Sequence, residues 1–236
     1  MSGPGSGDQS DNAPYDGPRS YMATVALVTI LGVVFMFEAV LWIANQEPGS
    51  PSSAISADFL KRLGGLGRQS VTEQGQWWRL AVAPLLHAGF VHVLLNGLAL
   101  GIIGPRFEGV VSAKWFLAIF TIGCLSGGLF SLLMNSQHIV SVGASGGIMG
   151  LLAATLCVIS RLEPSDFRTT LQTDAARVLL PTLFPALLIP IAGGTQDGVD
   201  VAAHLGGALG GLAVGLYLAY RVAEPDGLQD RSGSSE

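Results

Sequence analysis

The chain alternates between long apolar runs and short polar connections, and the lengths of the runs decide what they are. Six stand out, at about 21–44, 82–104, 115–134, 145–160, 178–193 and 201–221. About twenty apolar residues in a helix span a hydrocarbon core of roughly 30 Å. Only helices and closed barrels satisfy their backbone in lipid, and runs of this length without strict alternation predict helices. The expectation is an all-α membrane protein, a bundle of six transmembrane helices. The first run, Tyr21 to Ala44, lacks a basic n-region and an A-x-A-like cleavage site and is too long for a signal peptide, so it reads as a retained helix.

The polar stretches complete the plan. Residues 1–19 are rich in Gly, Ser, Pro and Asp and are expected to be a disordered tail. Residues 223–236 read as a second tail, which leaves 20–222 as one membrane domain. The long loop 45–78 is more than a linker. In it Ile55, Phe59, Leu60, Leu63 and Leu66 approximate a helical apolar stripe, and Trp77-Trp78-Arg79 has the composition of an interfacial anchor. The pattern predicts a segment lying in the interface of the outer leaflet.

Composition agrees with this class. Apolar residues make up 49% of the chain and charged residues only 12%, against roughly a quarter charged in soluble domains. The net charge of −5 comes from tails and loops and argues against nucleic acid as a partner; membrane lipids are the expected surroundings. Cys124 and Cys157 fall inside apolar spans and read as small buried hydrophobes. Basic residues set the orientation. Arg19, Arg106, Lys114, Arg161, Arg168, Arg177, Arg221 and Arg231 fall on one side, and only Lys61, Arg62, Arg68 and Arg79 on the other. Both termini are therefore expected in the cytoplasm.

Against this apolar background a few polar residues carry the chemistry. Gly143-Ala144-Ser145-Gly146-Gly147 opens the fourth span, and His204 lies near the start of the sixth. A G-x-S-x-G pattern alone is weak, since small residues also serve close helix packing. A soluble nucleophile elbow needs alternating strand and helix, which the pattern lacks. Depth adds more. Ser145 lies about 24 Å from Arg161 along its helix, His204 about 26 Å from Arg221, His92 about 21 Å from Arg106 and Asn96 about 15 Å. Three helices thus place Ser, His and His at one level.

A serine hydroxyl needs a base, and a neutral imidazole in an apolar site supplies one. His92 and Asn96 are i,i+4 and share a helix face, where their N–H groups, with the Ser145 backbone N–H, suit an oxyanion. Asp200 is too near the surface to orient His204, so a Ser145–His204 dyad is expected rather than a triad. No metal site or cofactor is expected, since H-E-x-x-H and comparable ligand clusters are missing from the sequence. His87, at the mouth of the second span, suits a structural hydrogen bond as well as a catalytic role. His138 reads as solvated. Glu38 is an intramembrane carboxylate without an evident partner, and protonation or snorkelling are both open to it.

Gly207, Gly211 and Gly215 form a seam for close approach of the sixth helix, with His204 on the same face. The fifth span carries Pro181, Pro185 and Pro190; a helix so weakened suits lateral substrate entry, and a static kink equally.

Together these residues resemble the rhomboid family of intramembrane serine proteases. The resemblance rests on Trp78-Arg79, His87, His92-x-x-x-Asn96, Glu108, Gly143-Ala144-Ser145-Gly146 and Ala203-His204 with the glycine seam, and covers roughly 75–215. It implies a six-helix rhomboid-like bundle, with Ser145 as nucleophile, His204 as base, His92 and Asn96 at the oxyanion, and Glu108 in structural hydrogen bonds. It also implies cleavage of single-span transmembrane protein substrates near the outer side of the bilayer. Where many members place an aromatic four residues after the serine, this chain has Met149, which fills similar space. A non-proteolytic, helix-binding relative is the alternative, and a transporter relaying protons through His92 and His204 a third reading. The six-span plan, short tails and lack of a presequence point to the bacterial plasma membrane, with an organelle membrane as the alternative.

Overall fold

The structure, a computed structural model, describes residues 21–45, 55–161, 165–177 and 200–223. The expected tails at 1–19 and 223–236, apart from Ala223, and the fifth span at 178–193 with its three prolines, lie outside the described residues. Within them the chain is helical: α1 (Met22–Ala44), α2 (Ala57–Leu63), α3 (Arg68–Thr72), α4 (Arg79–Val82), α5 (Phe90–Val111), α6 (Ala113–Met134), α7 (Ser145–Ile159), the helical residues 166–177 (α8) and α9 (Val201–Ala223). Four of these, α1, α5, α6 and α9, are long and apolar enough to cross a membrane. This is an all-α membrane bundle, as the apolar runs predict.

α7 is shorter, fifteen residues, or about 22 Å, yet it is buried at nearly every position from Gly146 to Ile159. α6 and α9 sheathe it, so it does not need the length of a lipid-facing helix. The helices around it turn Leu94, Leu98, Leu129, Leu209 and Leu216 outward, as expected where lipid is the solvent.

The second span begins later than its composition predicts. Residues 82–89 do not start a membrane helix. Ala83–Leu85 form a 3-10 turn containing Pro84, Leu86 is extended, and α5 starts at Phe90 after Gly89. Pro84 lacks the amide hydrogen a continuing helix requires, so the chain turns a corner here. At its other end α5 runs on through Pro105 to Val111.

The loop between α1 and α5 packs its apolar stripe on the protein. Ile55, Phe59 and Leu60 are buried with Leu86, packed against Val34, Phe35 and Trp42 of α1. The apolar stripe is therefore turned onto the protein rather than onto lipid. Trp77 and Trp78 do remain exposed. Arg79, placed among the anchors by sequence, is buried and staples the loop together. Its guanidinium donates to the Lys61 and Gly65 carbonyls and to Gln76 Oε1 at 2.6–2.7 Å and stacks 4.8 Å from Trp78. Arg68 donates to the Leu132 and Leu133 carbonyls, both at 2.6 Å, tying the loop to the end of α6.

Two carboxylates join α1 to the α5 side. Glu108 of α5 accepts the Ala23 N–H (3.0 Å), the Thr24 N–H (2.8 Å) and the Thr24 hydroxyl (2.8 Å). These donors are unsatisfied inside α1 because they open the helix, which makes that end an anion site. At the far end Glu38 of α1 accepts the His87 N–H.

Candidate functional site

Ser145 is the first residue of α7, directly after the cap Ala144. Its backbone N–H is among those a helix cannot satisfy internally. The approach to it is fixed from outside. Leu66 and Ser141 exchange backbone hydrogen bonds at 2.9 and 2.8 Å, and the Gly143 N–H donates to the Ala83 carbonyl at 3.0 Å. Gly143 has φ +109°, and a Cβ there would meet His92 Nε2 at 2.7 Å. Only glycine fits both the turn and the approach of the imidazole.

The same serine turn faces α9. A Cβ on Gly207 would strike the Gly146 carbonyl, one on Gly211 the Gly150 backbone, and one on Gly215 would sit 2.6 Å from Ala154 Cα. Further up, the Ala203 carbonyl oxygen lies 3.5 Å from the Cβ position of Gly146, and α6 closes on both, with the Gly127 Cβ position 2.6 Å from the same oxygen. The residue after Ser145 and the residue before His204 are therefore backbone neighbours. His204 is buried, at 4% exposed.

On the third side stands α5. Asn96 is buried, its Nδ2 donates to the His92 carbonyl at 3.0 Å, and that nitrogen lies 3.8 Å from the Cβ position of Gly143. One face of α5, the start of α7 and the start of α9 thus meet at one level. A cavity of about 20 Å³ opens beside Gly143, Gly146, Ser141 and Ala203, room for a single water.

Several residues left open by the sequence now have places. His138 is exposed. Both cysteines are free thiols, Cys124 buried beside Gly147. Met149 is buried in the main core. Asp200 binds α6 and the backbone that opens α9. Its oxygens accept from Ser131 Oγ (2.6 Å), Asn135 Nδ2 (2.8 Å) and the Ala203 N–H (2.9 Å), so it caps α9 and moors it to α6.

Glu38, without a partner in the sequence reading, is 1% exposed and its two oxygens lie 3.2 and 3.1 Å from the His87 nitrogen. His87 is wholly buried, its ring edge-on to His92 with centroids 4.9 Å apart. Burial, and after it the neighbouring His92, push the His87 imidazole down to about 4, so it is neutral near pH 7. Sequence reasoning missed these links because the partners lie 49 to 69 positions apart.

Comparison with known proteins identifies the family. The rhomboid domain family model matches residues 74–221, more than half of the chain. RHOMBOID-like protein 5 of Arabidopsis thaliana is 37% identical over 70% of this chain and 52% of its own length. The mitochondrial RHOMBOID-like protein 6 of the same plant is 33% identical over 72% and 52%. Rhomboid protease AarA of Providencia stuartii is 28% identical over 82% and 71%. The chain spans about half the length of these plant relatives. With Trp78-Arg79, the α5 histidine and asparagine, the serine turn and the α9 glycine seam all inside the matched region, the chain belongs to the rhomboid family.

Proposed function

We propose that the protein is an intramembrane serine endopeptidase, with Ser145 as nucleophile, His204 as general base and His92 and Asn96 serving the oxyanion. The observation that carries this reading is the convergence at the start of α7. Gly143 lies against His92, Gly146 against the carbonyl before His204, and the serine between them opens a buried helix. A hydroxyl, an imidazole and side-chain N–H donors brought to this turn would suit acyl transfer.

In the first half-reaction Ser145 Oγ attacks the scissile carbonyl while His204 accepts its proton. The carbonyl oxygen becomes an oxyanion, met by the Ser145 backbone N–H, His92 and Asn96. Collapse breaks the C–N bond, and His204 returns the proton to the departing amine. In the second half water attacks the acyl-enzyme, His204 takes a proton from it, and Ser145 leaves with that proton restored. A helical substrate must first unwind locally, because its carbonyl is tied in backbone hydrogen bonds.

Relatives named as rhomboid proteases support the proteolytic reading, and the substrates in it are single-span transmembrane proteins cut near the outer side of the bilayer. Residues 20–222 make up the protease domain, with both termini in the cytoplasm, as the distribution of basic residues suggests.

The test is a serine-directed fluorophosphonate on the purified protein, paired with cleavage of a single-span substrate in liposomes. Wild type labels at Ser145 and cleaves, and Ser145→Ala does neither. His204→Ala loses about 10³–10⁶-fold in rate, as serine hydrolases do without their base. A Ser145→Ala protein that still cleaves ends the serine mechanism; a wild type that binds the substrate helix and never cuts it favours the helix-binding relative.

A further inference from the structure

Of the two buried carboxylates among the described residues, Glu108 is accounted for by the start of α1, and Glu38 is not. Ionisable groups at membrane depth are costly and are kept where they do something. Glu38 holds one donor, the His87 N–H, at the corner where the chain turns from Pro84 into α5. The next residue is fixed from the opposite side, its Ala88 carbonyl accepting the Ile55 N–H at 3.0 Å. What the corner presents is the His87 ring. Its Nδ1 lies 3.2 Å from the Leu85 carbonyl, which anchors the ring to the corner; its Nε2 has no hydrogen-bond partner among the described residues, and beyond the corner the ring makes an edge-on contact with His92.

That contact matters because the second torsion of a histidine is broad and does not by itself set the ring plane. The His92 ring has two walls: His87 on one side and the Gly143 backbone, two residues before Ser145, on another. We propose that Glu38 and His87 are positioning residues that hold the His92 imidazole in the plane from which it meets the oxyanion, with α1 as the fixed support. The inference rests on the reading of His92 as an oxyanion donor.

The test uses the full chain in liposomes, with kcat and KM measured on a single-span substrate and folding followed by thermal midpoint. Glu38→Leu is expected to lower kcat by about 10–100-fold with KM within about twofold, as for small misplacements of a catalytic group. Glu38→Gln keeps an acceptor oxygen and recovers kcat to within about threefold. His87→Ala leaves the Glu38 bond to the backbone intact and removes the wall together with the ring's contact with the Leu85 carbonyl; it shows the same kcat loss and carries the test if Glu38→Leu does not fold. In a His92→Ala background neither change lowers kcat further, because residues acting through one group are not additive.

Wild-type kcat in both Glu38→Leu and His87→Ala overturns the proposal, as do losses that multiply with that of His92→Ala. If His92→Ala itself keeps full kcat, the oxyanion reading falls and this inference falls with it. If His92→Ala is impaired while the other two are not, only the positioning role falls.

Discussion

α7 and α9 meet backbone to backbone, whereas α1 and α5 meet through side chains at their two ends. In the first pair Gly207, Gly211 and Gly215 leave no space for even a methyl group against Gly146, Gly150 and Ala154. In the second, Gly32, Gly97 and Gly101 face nothing within 4 Å, Gly104 meets the Thr24 side chain rather than backbone, and the helices are pinned by Glu108 at one end and by Glu38 on the His87 corner at the other. Lipid supplies no hydrophobic drive between helices, so association rests on close packing or on polar bonds. This molecule uses both, in different places. Continuous backbone contact lies under Ser145 and His204, where position has the least tolerance. Discrete polar pins hold the helix that carries His92 and Asn96.

The sharpest way to break the contrast is one methyl group on each side of it. Gly211→Ala drives a Cβ into the Gly150 backbone, which cannot step aside as a flexible side chain would. It is expected to cost about 3 kcal/mol or more and to lower the cleavage rate about 100-fold or further as α9 is pushed off α7. Gly97→Ala meets no atom and should be neutral or stabilising by up to about 1 kcal/mol through helix propensity. Thermal midpoint and cleavage rate read both. Equal effects of the two would remove the distinction between the packed and the pinned half.

Next in size is the pin itself. Glu108→Ala leaves the Ala23 N–H, the Thr24 N–H and the Thr24 hydroxyl without their acceptor, at a cost of about 2–4 kcal/mol. Glu108→Gln retains one acceptor oxygen and is expected to lose about half as much. The change should appear in thermal midpoint before it appears in the low-temperature cleavage rate, since Glu108 lies at the opposite end of α5 from His92. A midpoint unmoved by Glu108→Ala would mean that side-chain packing alone holds α1.

How much of this was legible beforehand follows from the range of each interaction. The runs that became α1, α6, α7 and α9 were readable because length and apolarity are local properties. Ser145, His204, His92 and Asn96 were proposed together because a rise of 1.5 Å per residue converts sequence distance into depth. The start of α5 was misplaced although Pro84 and Gly89 mark the corner; apolar composition outweighed two breakers that should have ended the span. The stripe of Ile55, Phe59 and Leu60 was seen, but not that α1 covers it, because hydropathy shows which face is apolar and not what meets it. Glu38 and Asp200 were opaque for the same reason. A buried carboxylate takes its meaning from a donor far along the chain, and no spacing rule connects Glu38 to His87.

Asp200 tests whether the packed half also depends on a polar pin. It caps α9 one turn before His204 and joins that turn to Ser131 and Asn135 of α6. Asp200→Ala is expected to cost about 1–2 kcal/mol, the usual loss of a good cap, and to slow cleavage by about tenfold as the first turn of α9 loosens under the imidazole. Asp200→Asn keeps an acceptor for the Ala203 N–H and should recover most of the rate. If the glycine seam alone positions His204, Asp200→Ala will lower the thermal midpoint and leave the rate of the folded protein unchanged.

The smallest effect is expected where the two halves join. α5 and α6 are separated by Ser112 alone, at φ +76° and ψ 157°, a region that is nearly exclusive to glycine and costs other residues about 1–3 kcal/mol. The strain persists because both neighbours over-determine it. The Ser112 N–H donates to the Glu108 carbonyl at 2.9 Å, and its own carbonyl accepts the Phe116 N–H at 3.0 Å. Ser112→Gly removes the clash with Cβ but also gives the unfolded chain more freedom, so the net gain is expected to be about 0.5–1 kcal/mol. A modest rise in thermal midpoint with an unchanged cleavage rate is the expected result. A fall would mean that the Ser112 side chain contributes more to the junction than its backbone conformation costs, and that the pinned and packed halves are coupled through this link as well as through the helices it joins.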